Sequence, residues 1–407
     1  MPFPEIIFDL TRLQNRAAET TPTGIDRVLL EYAHWLARRP AIALRFVELW
    51  RGRVLDSDPL RARQLISQTR SRWHTSADGP SKDGKRLRPG LPDLAARRLT
   101  VFSRTLRSLV PARIYPGAVF LSIGHYGLER GELFRAVRAS GGKTAVFVHD
   151  LIPITHPHYC RPGECERHTR RIENILREAD LIIVNSVTTE ESIAGFAAVN
   201  RLAMPATVVA PLGLDHCAGR WTPPQDLKRP YFLVVGTIEP RKNLRLLAEV
   251  WRGLVSELGS GAPRLIVAGR RGWLYEDTLN ALHHPALAGA VEEVADLSDR
   301  GLFGLMAGAA ATLCPSYAEG FDLPFAEALA ISGRVIASDI GVHRELAPRG
   351  LPLLPPDDPA AWRAAILAAC RPAPARLAPV WTAPSWSGHF DCVWPSIQAL
   401  AAKGPAP

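Results

Sequence analysis

The 407-residue chain is 47% hydrophobic and 22% charged, with a formal net charge of +9. That length fits two to three domains at roughly 150 residues each, and the composition predicts a globular chain with sizeable buried cores rather than a disordered one. The charge is concentrated in residues 51–113, where 13 Arg and 2 Lys face 5 Asp, so attraction for nucleic acid, acidic lipid or phosphorylated substrates is expected from that block.

Along the chain, residues 5–10 (EIIFDL) read as a buried strand. A polar, turn-rich loop covers 15–24. A helical pattern follows over 26–38, with Val28, Leu29, Tyr32, Trp35 and Leu36 on one face. Residues 41–49 read as a second strand. The basic block at 51–113 reads as an irregular insertion with short helices near 58–70 and 92–109. Strand signals return at 118–123, 143–148, 181–185 and 207–210, with a helix over 164–179 among them. Alternating strands and helices predict a parallel sheet covered on both faces.

A composition break at 219–229 (GRWTPPQDLKR) reads as a linker. A second alternating series then places strands at 231–235, 264–268, 291–294, 310–314 and 334–338. The tail over 381–400 is aromatic and amphipathic. The fold class expected is α/β, with two Rossmann-like, doubly wound parallel-sheet domains in tandem. The expected units are 1–218, a linker at 219–229, 230–380, and a C-terminal segment at 381–407.

The longest weakly polar stretch, 302–314, is shorter than the about 20 apolar residues that span a bilayer. Residues 1–10 lack the charged start, apolar middle and cleavage site of a signal peptide. A cytoplasmic protein is expected, with peripheral contact at the inner membrane as a further expectation. Cys160, Cys165, Cys217, Cys314, Cys370 and Cys392 are expected to be reduced.

Ligands of open α/β sheets bind outside the carboxyl ends of the strands. In the C-terminal half those ends carry 236–243 (GTIEPRKN), 269–273 (GRRGW), 315–324 (PSYAEGFDLP) and 339–345 (DIGVHRE). Pro324 suits the first turn of a helix, and the free amides near 321–325 then form an anion site. Glu327, about one turn in, is placed to accept from vicinal hydroxyls, and Glu319 lies near the mouth, where a sugar fits. Arg241 and Lys242 precede a helix start, where two cations repel the dipole mildly, a cost that an anion bound between them would offset. Taken singly, each feature also reads as a capped helix or a solvated charge pair. His156, His158, Cys160, Cys165 and His168 do not follow zinc-site spacing, so no metal is expected there. His343 reads as a loop residue rather than a base, and Asp357 and Asp358 as helix caps.

In combination, FLVVGTIEPRKNLRLL, LIVAGRRGW, LFGLMAGAAATLCPSYAEGFDLPFAEALA and GRVIASDIGVHREL resemble the C-terminal domain of glycosyltransferase family 4. Its signature of two glutamates separated by seven residues corresponds to Glu319 and Glu327. More loosely, FDLTRL with PTGIDRV, VFVHDLIPITHP, IIVNSVTTEESI and PLGLD resemble its N-terminal half, including Asn185, Ser186, Gly213 and Asp215. The tail SWSGHFDCVWPSIQ resembles the helix that crosses back to the first domain.

The resemblance implies a GT-B fold and a retaining, metal-independent transferase with no cofactor and a nucleoside-diphosphate sugar as donor. It places Lys242 and Arg241 on the diphosphate, with Gly24, Gly236, Phe321, Asp322 and Leu323 around it. Glu327 would hold the ribose, with Gly269 and Arg270 on the ribose and base side. Glu319 would meet the sugar hydroxyls, and His149 would lie near the transferred sugar, so that His149, Glu319 and Lys242 form the catalytic set. The GTIEPRKN and EGFDLP variants look like those of mannosyltransferase-type members, favouring mannose from a guanosine diphosphate donor. The acceptor implied is a glycan or a polyprenyl-diphosphate-linked saccharide in bacterial surface polysaccharide synthesis. Three features depart from the family pattern: Thr237 stands where many members have Arg, Asp322 where many have Gly, and the block at 51–113 has no counterpart.

Two other functions remain open on the sequence. One is a nucleotide-sugar epimerase or hydrolase on the same fold. The other is nucleic-acid binding through the basic block, which is not expected because the block interleaves only Trp73 and Phe102. Docking of the block to an anionic membrane or a lipid-diphosphate acceptor is preferred, at ~1 kcal/mol per basic residue near such a surface.

Overall fold

The computed structural model describes residues 5–19, 21–50, 53–75, 113–224, 230–371 and 381–402. The helix expected near 92–109, and most of the basic block with it, lies outside the described residues, as does the second half of the linker.

The first sheet comprises β1 (Glu5–Asp9), β2 (Ala43–Trp50), β3 (Arg53–Asp56), β4 (Val119–Ser122), β5 (Lys143–Val148), β6 (Leu181–Val184) and β7 (Ala206–Val209), in the order β3-β2-β1-β4-β5-β6-β7. The second comprises β8 (Tyr231–Val235), β9 (Arg264–Ala268), β10 (Val291–Val294), β11 (Ala311–Cys314), β12 (Val335–Ser338) and β13 (Leu353–Leu354), in the order β10-β9-β8-β11-β12-β13. Strands such as Val119–Ser122 and Ala311–Cys314 are buried along their whole length. That is why they read as continuous apolar runs instead of alternating ones.

Two features differ from the sequence expectation. The first sheet has an antiparallel edge, with Trp50 opposite Arg53 and Val47 opposite Asp56. A connection this short joins only antiparallel neighbours. The start of the basic block is also regular structure: β3 is followed by the helix Pro59–Thr75, which buries Ala62, Ile66 and Trp73. Three of its arginines are tied to the fold, Arg70 to Glu31 and Arg63 and Arg72 to the carbonyls of Ala37 and Ala17. β13, two residues long, is too short to leave a periodic signal.

Each sheet order reverses direction once, between β1 and β4 and between β8 and β11. The loops leaving those strands open onto a crevice, where α/β sheets bind ligands. Loops 236–243 and 315–322 therefore face one another.

The halves are joined by packing as well as by the chain. One apolar cluster includes Phe8, Tyr32 and Phe147 from the first half and Phe303, Met306 and Phe321 from the second. The helix Trp386–Ala402 packs on the first sheet through Phe390, Val393, Ile397 and Leu400, a helical stripe. Trp35 stacks on Phe390 with ring centroids 4.2 Å apart. Gly213 lies so close to the Trp386 backbone that a Cβ would overlap it, and Asp215 accepts from the Trp386 amide at 2.6 Å.

His389 on this helix faces the carbonyls of Ala210 and Pro211 with Nδ1, at 3.1 and 3.0 Å, and Tyr32 Oη with Nε2, at 2.7 Å. Burial pushes its pKa down to about 4. The unfolded chain therefore takes up the proton first, and stability falls as pH drops from about 6.5 to 4, by up to about 3 kcal/mol from this site. The unfolding midpoint should fall by several degrees across that window, measured calorimetrically, and less steeply in His389→Gln. A midpoint indifferent to pH there would show that His389 is not held neutral.

Candidate donor-binding site

The loop after β8 is shaped by close backbone approach. Gly236 has φ +141°, and a Cβ there would sit 3.0 Å from Lys242 Cε. Gly269, at the end of β9, lies where a Cβ would overlap the Gly236 carbonyl. Gly236 therefore lies beneath the Lys242 side chain, and Gly269 lies against the Gly236 backbone. Pro240–Lys242 forms a 3-10 turn, and Asn243 adopts a left-handed conformation at φ 54° before the helix Leu244–Leu258. The Asn243 amide donates to the carbonyls of Pro315 and Pro356 at 3.1 and 2.7 Å.

Arg241 and Lys242 meet the loop after β11. Glu319 lies between them, 2.5 Å from Arg241 Nη1 and 2.6 Å from Lys242 Nζ. Arg241 also pairs with Glu239 at 2.6 Å and donates to the Ala318 carbonyl at 3.0 Å. Asp322 lies 3.4 Å from Lys242 Nζ on one oxygen and 3.0 Å from His343 Nε2 on the other. Burial alone would raise the pKa of Glu319, but Arg241 and Lys242 hold it below the usual carboxylate range. Asp322 is held low against burial by Lys242 and His343. Burial opposes the charge on Lys242, yet Asp322 and Glu319 raise its pKa. Burial dominates at Glu239, whose pKa rises despite the nearby cations.

The helix Leu323–Ile331 starts at Asp322, with Pro324 in its first turn. Phe321 is buried in the shared apolar cluster. Leu323 reaches across the crevice to within 3.6 Å of where a Gly24 Cβ would sit. Glu327 is buried, and its carboxylate meets His216 Nε2 at 2.9 Å. The two glutamates of the signature thus have separate partners. His216, Cys217 and Glu327 bring potential metal-ligand atoms within 4.8 Å of one another. Burial and the Glu327 charge push the Cys217 thiol upward, which disfavours the thiolate a metal needs. Nearby, Arg27 holds Asp299 with its two terminal nitrogens at 3.2 and 2.5 Å. Arg270 reaches the opposite half, at the Thr21 carbonyl and Glu19.

His149, at the end of β5, is buried, with Nε2 2.9 Å from the Ile123 carbonyl. Burial lowers its pKa to about 4, so it is neutral at pH 7. Its backbone carbonyl abuts Gly320, where a Cβ would overlap it, and accepts from Asn185 Nδ2 at 3.0 Å. Ser186 caps the helix Val187–Val199 and donates to the Gly320 carbonyl at 2.7 Å. The exposed start of that helix receives Glu345, which accepts from the Val187 and Thr188 amides at 2.8 and 3.1 Å. Beside these contacts a cavity of about 130 Å³ is lined by Asp150, Thr188, Ser192, Tyr317, Glu319 and Gly341.

One expectation is overturned. His343 is not a loop residue: it lies in the helix Gly341–Leu346, fully buried, stacked on Phe325 with centroids 4.4 Å apart. Its partner Asp322 comes from another strand end, so no local pattern reveals the pairing. Sequence reasoning also passed over Glu239, although GTIEPRKN contains it, and over His216 and Glu345.

Residues 229–371 match the family described as glycosyl transferases group 1. Among curated proteins, the chain is 28% identical over 233 residues to the serotype-specific mannosyltransferase WbdA of Escherichia coli, covering 52% of this chain and 28% of that protein. It is 28% identical to the O-antigen chain mannosyltransferase B of Escherichia coli, covering 47% and 52%. It is 32% identical to the O-antigen chain mannosyltransferase RfbU of Salmonella typhimurium over 34% and 38%. The chain thus spans about a quarter to a half of the length of these relatives. Among solved structures, the sucrose-phosphate synthase of Thermosynechococcus elongatus superposes with TM-score 0.57 at 17% identity, covering 98% of this chain and 97% of that one. Anabaena Alr3699/HepE in complex with UDP-glucose gives 0.59 at 17%, covering 98% of each. With two largely parallel α/β sheets and these structural neighbours, the chain has the GT-B fold, and its residues 229–371 match the glycosyl transferases group 1 family.

Proposed function

We propose that the protein is a retaining glycosyltransferase that moves a hexose, mannose first among candidates, from a nucleoside-diphosphate sugar to a growing surface glycan. The observation that carries this reading is the pair Arg241–Lys242. A buried cation, Lys242, and a partly buried one, Arg241, lie at the switch point of the second sheet, with a carboxylate, Glu319, lodged between them. A diphosphate offers more negative charge on more oxygens, matching the two cations, and would release Glu319 toward sugar hydroxyls. Charge developing on the leaving diphosphate would fall on Arg241, Lys242 and the amides opening the helix Leu323–Ile331, a task that metal ions perform in other sites. Glu327, steadied by His216, would receive the ribose hydroxyls. His149, neutral and pinned by Ile123, would stand at the reacting sugar without adding charge. The names of the relatives favour mannose and an O-antigen-like acceptor; the base is taken as guanine.

The test is turnover of labelled nucleotide sugars, with and without a chelator. GDP-mannose should be consumed in an acceptor-dependent way, with an unchanged rate in chelator. Lys242→Ala should lower kcat by about 10²–10³-fold, and Glu327→Ala should mainly raise the donor KM, in variants shown to be folded. Intact transfer in either variant would show that the site is misassigned. Donor conversion without acceptor would point to an epimerase or hydrolase.

The acceptor proposed is lipid-linked, and the basic block would hold the protein at an anionic surface. No helix among the described residues is long and apolar enough to cross a membrane. Because Arg63, Arg70 and Arg72 serve the fold, the membrane-facing charge would come from Lys82, Lys85, Arg86, Arg88, Arg97 and Arg98. Changing these six to Glu should abolish flotation with phosphatidylglycerol vesicles while the unfolding midpoint stays within a few degrees. Unchanged flotation would exclude the block as the anchor.

A further inference from the structure

His343 is fully buried, and each of its ring nitrogens faces an oxygen. Nδ1 lies 2.8 Å from the Ser338 carbonyl. A carbonyl only accepts, so Nδ1 carries a proton. The Ser338 hydroxyl, 3.4 Å from Nδ1, is already directed at the Ser316 carbonyl at 2.6 Å. Nε2 lies 3.0 Å from Asp322 Oδ2. A carboxylate also only accepts, so a proton must lie on this line too. The other Asp322 oxygen faces Lys242 at 3.4 Å, which favours the ionised carboxylate. Both nitrogens of His343 thus face acceptors, the arrangement that an imidazolium satisfies.

The surroundings account for a buried imidazolium. Its ring stacks on Phe325, a face that attracts cations. Across Asp322 stand Lys242 and, beyond it, Arg241 and Glu319, with Glu239 behind Arg241. Glu345, on the same helix as His343, is directed at the amides of Val187 and Thr188. The cluster balances three cations, Arg241, Lys242 and His343, against three carboxylates, Glu239, Glu319 and Asp322. Asp322 itself is left-handed, at φ 57°, a conformation that costs a residue with a Cβ and that Gly would adopt freely. Its side chain is held on both oxygens, so the strain is stabilised by the two cations it joins.

We propose that Asp322 and His343 form a buried carboxylate–imidazolium pair that positions Lys242 for the donor diphosphate. This rests on the donor-site reading above. Glu319 is free to leave when a diphosphate enters, because its other contacts are to Arg241 and Ser316. Asp322 is tethered from behind by His343 and cannot follow. It keeps the Lys242 ammonium fixed on one side while the other side engages phosphate oxygens. Asp322 and His343 act through Lys242 and are positioning residues. Losing Asp322 also releases the proton on His343, so the net charge of the site is conserved and binding of the nucleoside diphosphate should change little. What is lost is the placement of Lys242 at the reacting bond, where a shift of about 1 Å can cost 10²-fold.

Long-range proton–nitrogen NMR on histidine-labelled full-length protein at neutral pH reads the pair directly. Wild type should show His343, assigned by its absence in His343→Gln, with both nitrogens protonated. Asp322→Asn should convert it to a neutral tautomer. In parallel, Asp322→Asn and His343→Gln should bind GDP within about threefold of wild type by calorimetry, while kcat with GDP-mannose falls between about ten- and a hundred-fold. A singly protonated His343 in wild type, or an imidazolium that persists in Asp322→Asn, would overturn the pair. Unchanged kcat in both variants, or a loss confined to GDP affinity, would overturn its positioning role. If wild type turns over no nucleotide sugar, the functional reading fails and the positioning role falls with it, while the spectra still decide whether the pair exists.

Discussion

Glu319 sits between Arg241 and Lys242, and much of the second half is arranged around that contact. It joins the loops leaving β8 and β11, the two strands on either side of the point where the sheet order reverses. Lys242 and Glu319 are almost wholly buried and Arg241 is largely so, so that leaving one of these charges unpaired is costly. Breaking a buried pair by removing one partner typically costs about 3–5 kcal/mol, because a charge is then left in a medium that solvates it poorly. The local backbone serves this contact. Gly236 lets the Lys242 chain lie against main chain and Gly269 leaves room for the Gly236 carbonyl, Asn243 ties the turn to Pro315 and Pro356, and the Tyr317 amide donates to the Arg241 carbonyl at 2.9 Å.

The same loop couples the halves. Gly320, next to Glu319, lies against the His149 carbonyl, and Ser186 holds its carbonyl from the other side. Glu345 reaches the positive end of the helix Val187–Val199, a favourable place for a carboxylate. Tyr159 stacks on Tyr317 with centroids 5.5 Å apart, and Trp273 donates to the Tyr159 carbonyl at 2.7 Å. Rearranging Glu319 on ligand entry would therefore be felt at these contacts.

Charge is distributed unevenly between the halves of the site. On the second-sheet side Arg241, Lys242, Glu319 and Asp322 form a cluster of mutually compensating ion pairs. On the first-sheet side burial holds His125, His149 and His168 below the ordinary imidazole range. His125 and His149 pack edge to face, 4.9 Å between centroids. A cluster of buried imidazoles on one side thus faces an ion-paired cluster on the other.

Much of this was legible in the sequence. The apolar runs at 143–148, 231–235, 264–268 and 291–294 coincide with β5, β8, β9 and β10, because period and hydrophobicity are properties of neighbours along the chain. The motif residues 241, 242, 319 and 327 could be named for a comparable reason, since loop chemistry at strand ends is written in contiguous letters. Partnership across the fold was not legible. Asp322 finds His343, Glu327 finds His216, and Glu345 finds the start of a helix in the other half, because the order of strands in the sheets carries those loops together. Arg63, Arg70 and Arg72 read as part of a free basic surface, yet burial of Ala62, Ile66 and Trp73 turned that helix into the fold. The chain alone thus determined most of the elements and which loops bring charged side chains to the strand ends. The tertiary structure decided which charges neutralise one another, because that depends on distances between segments far apart in sequence.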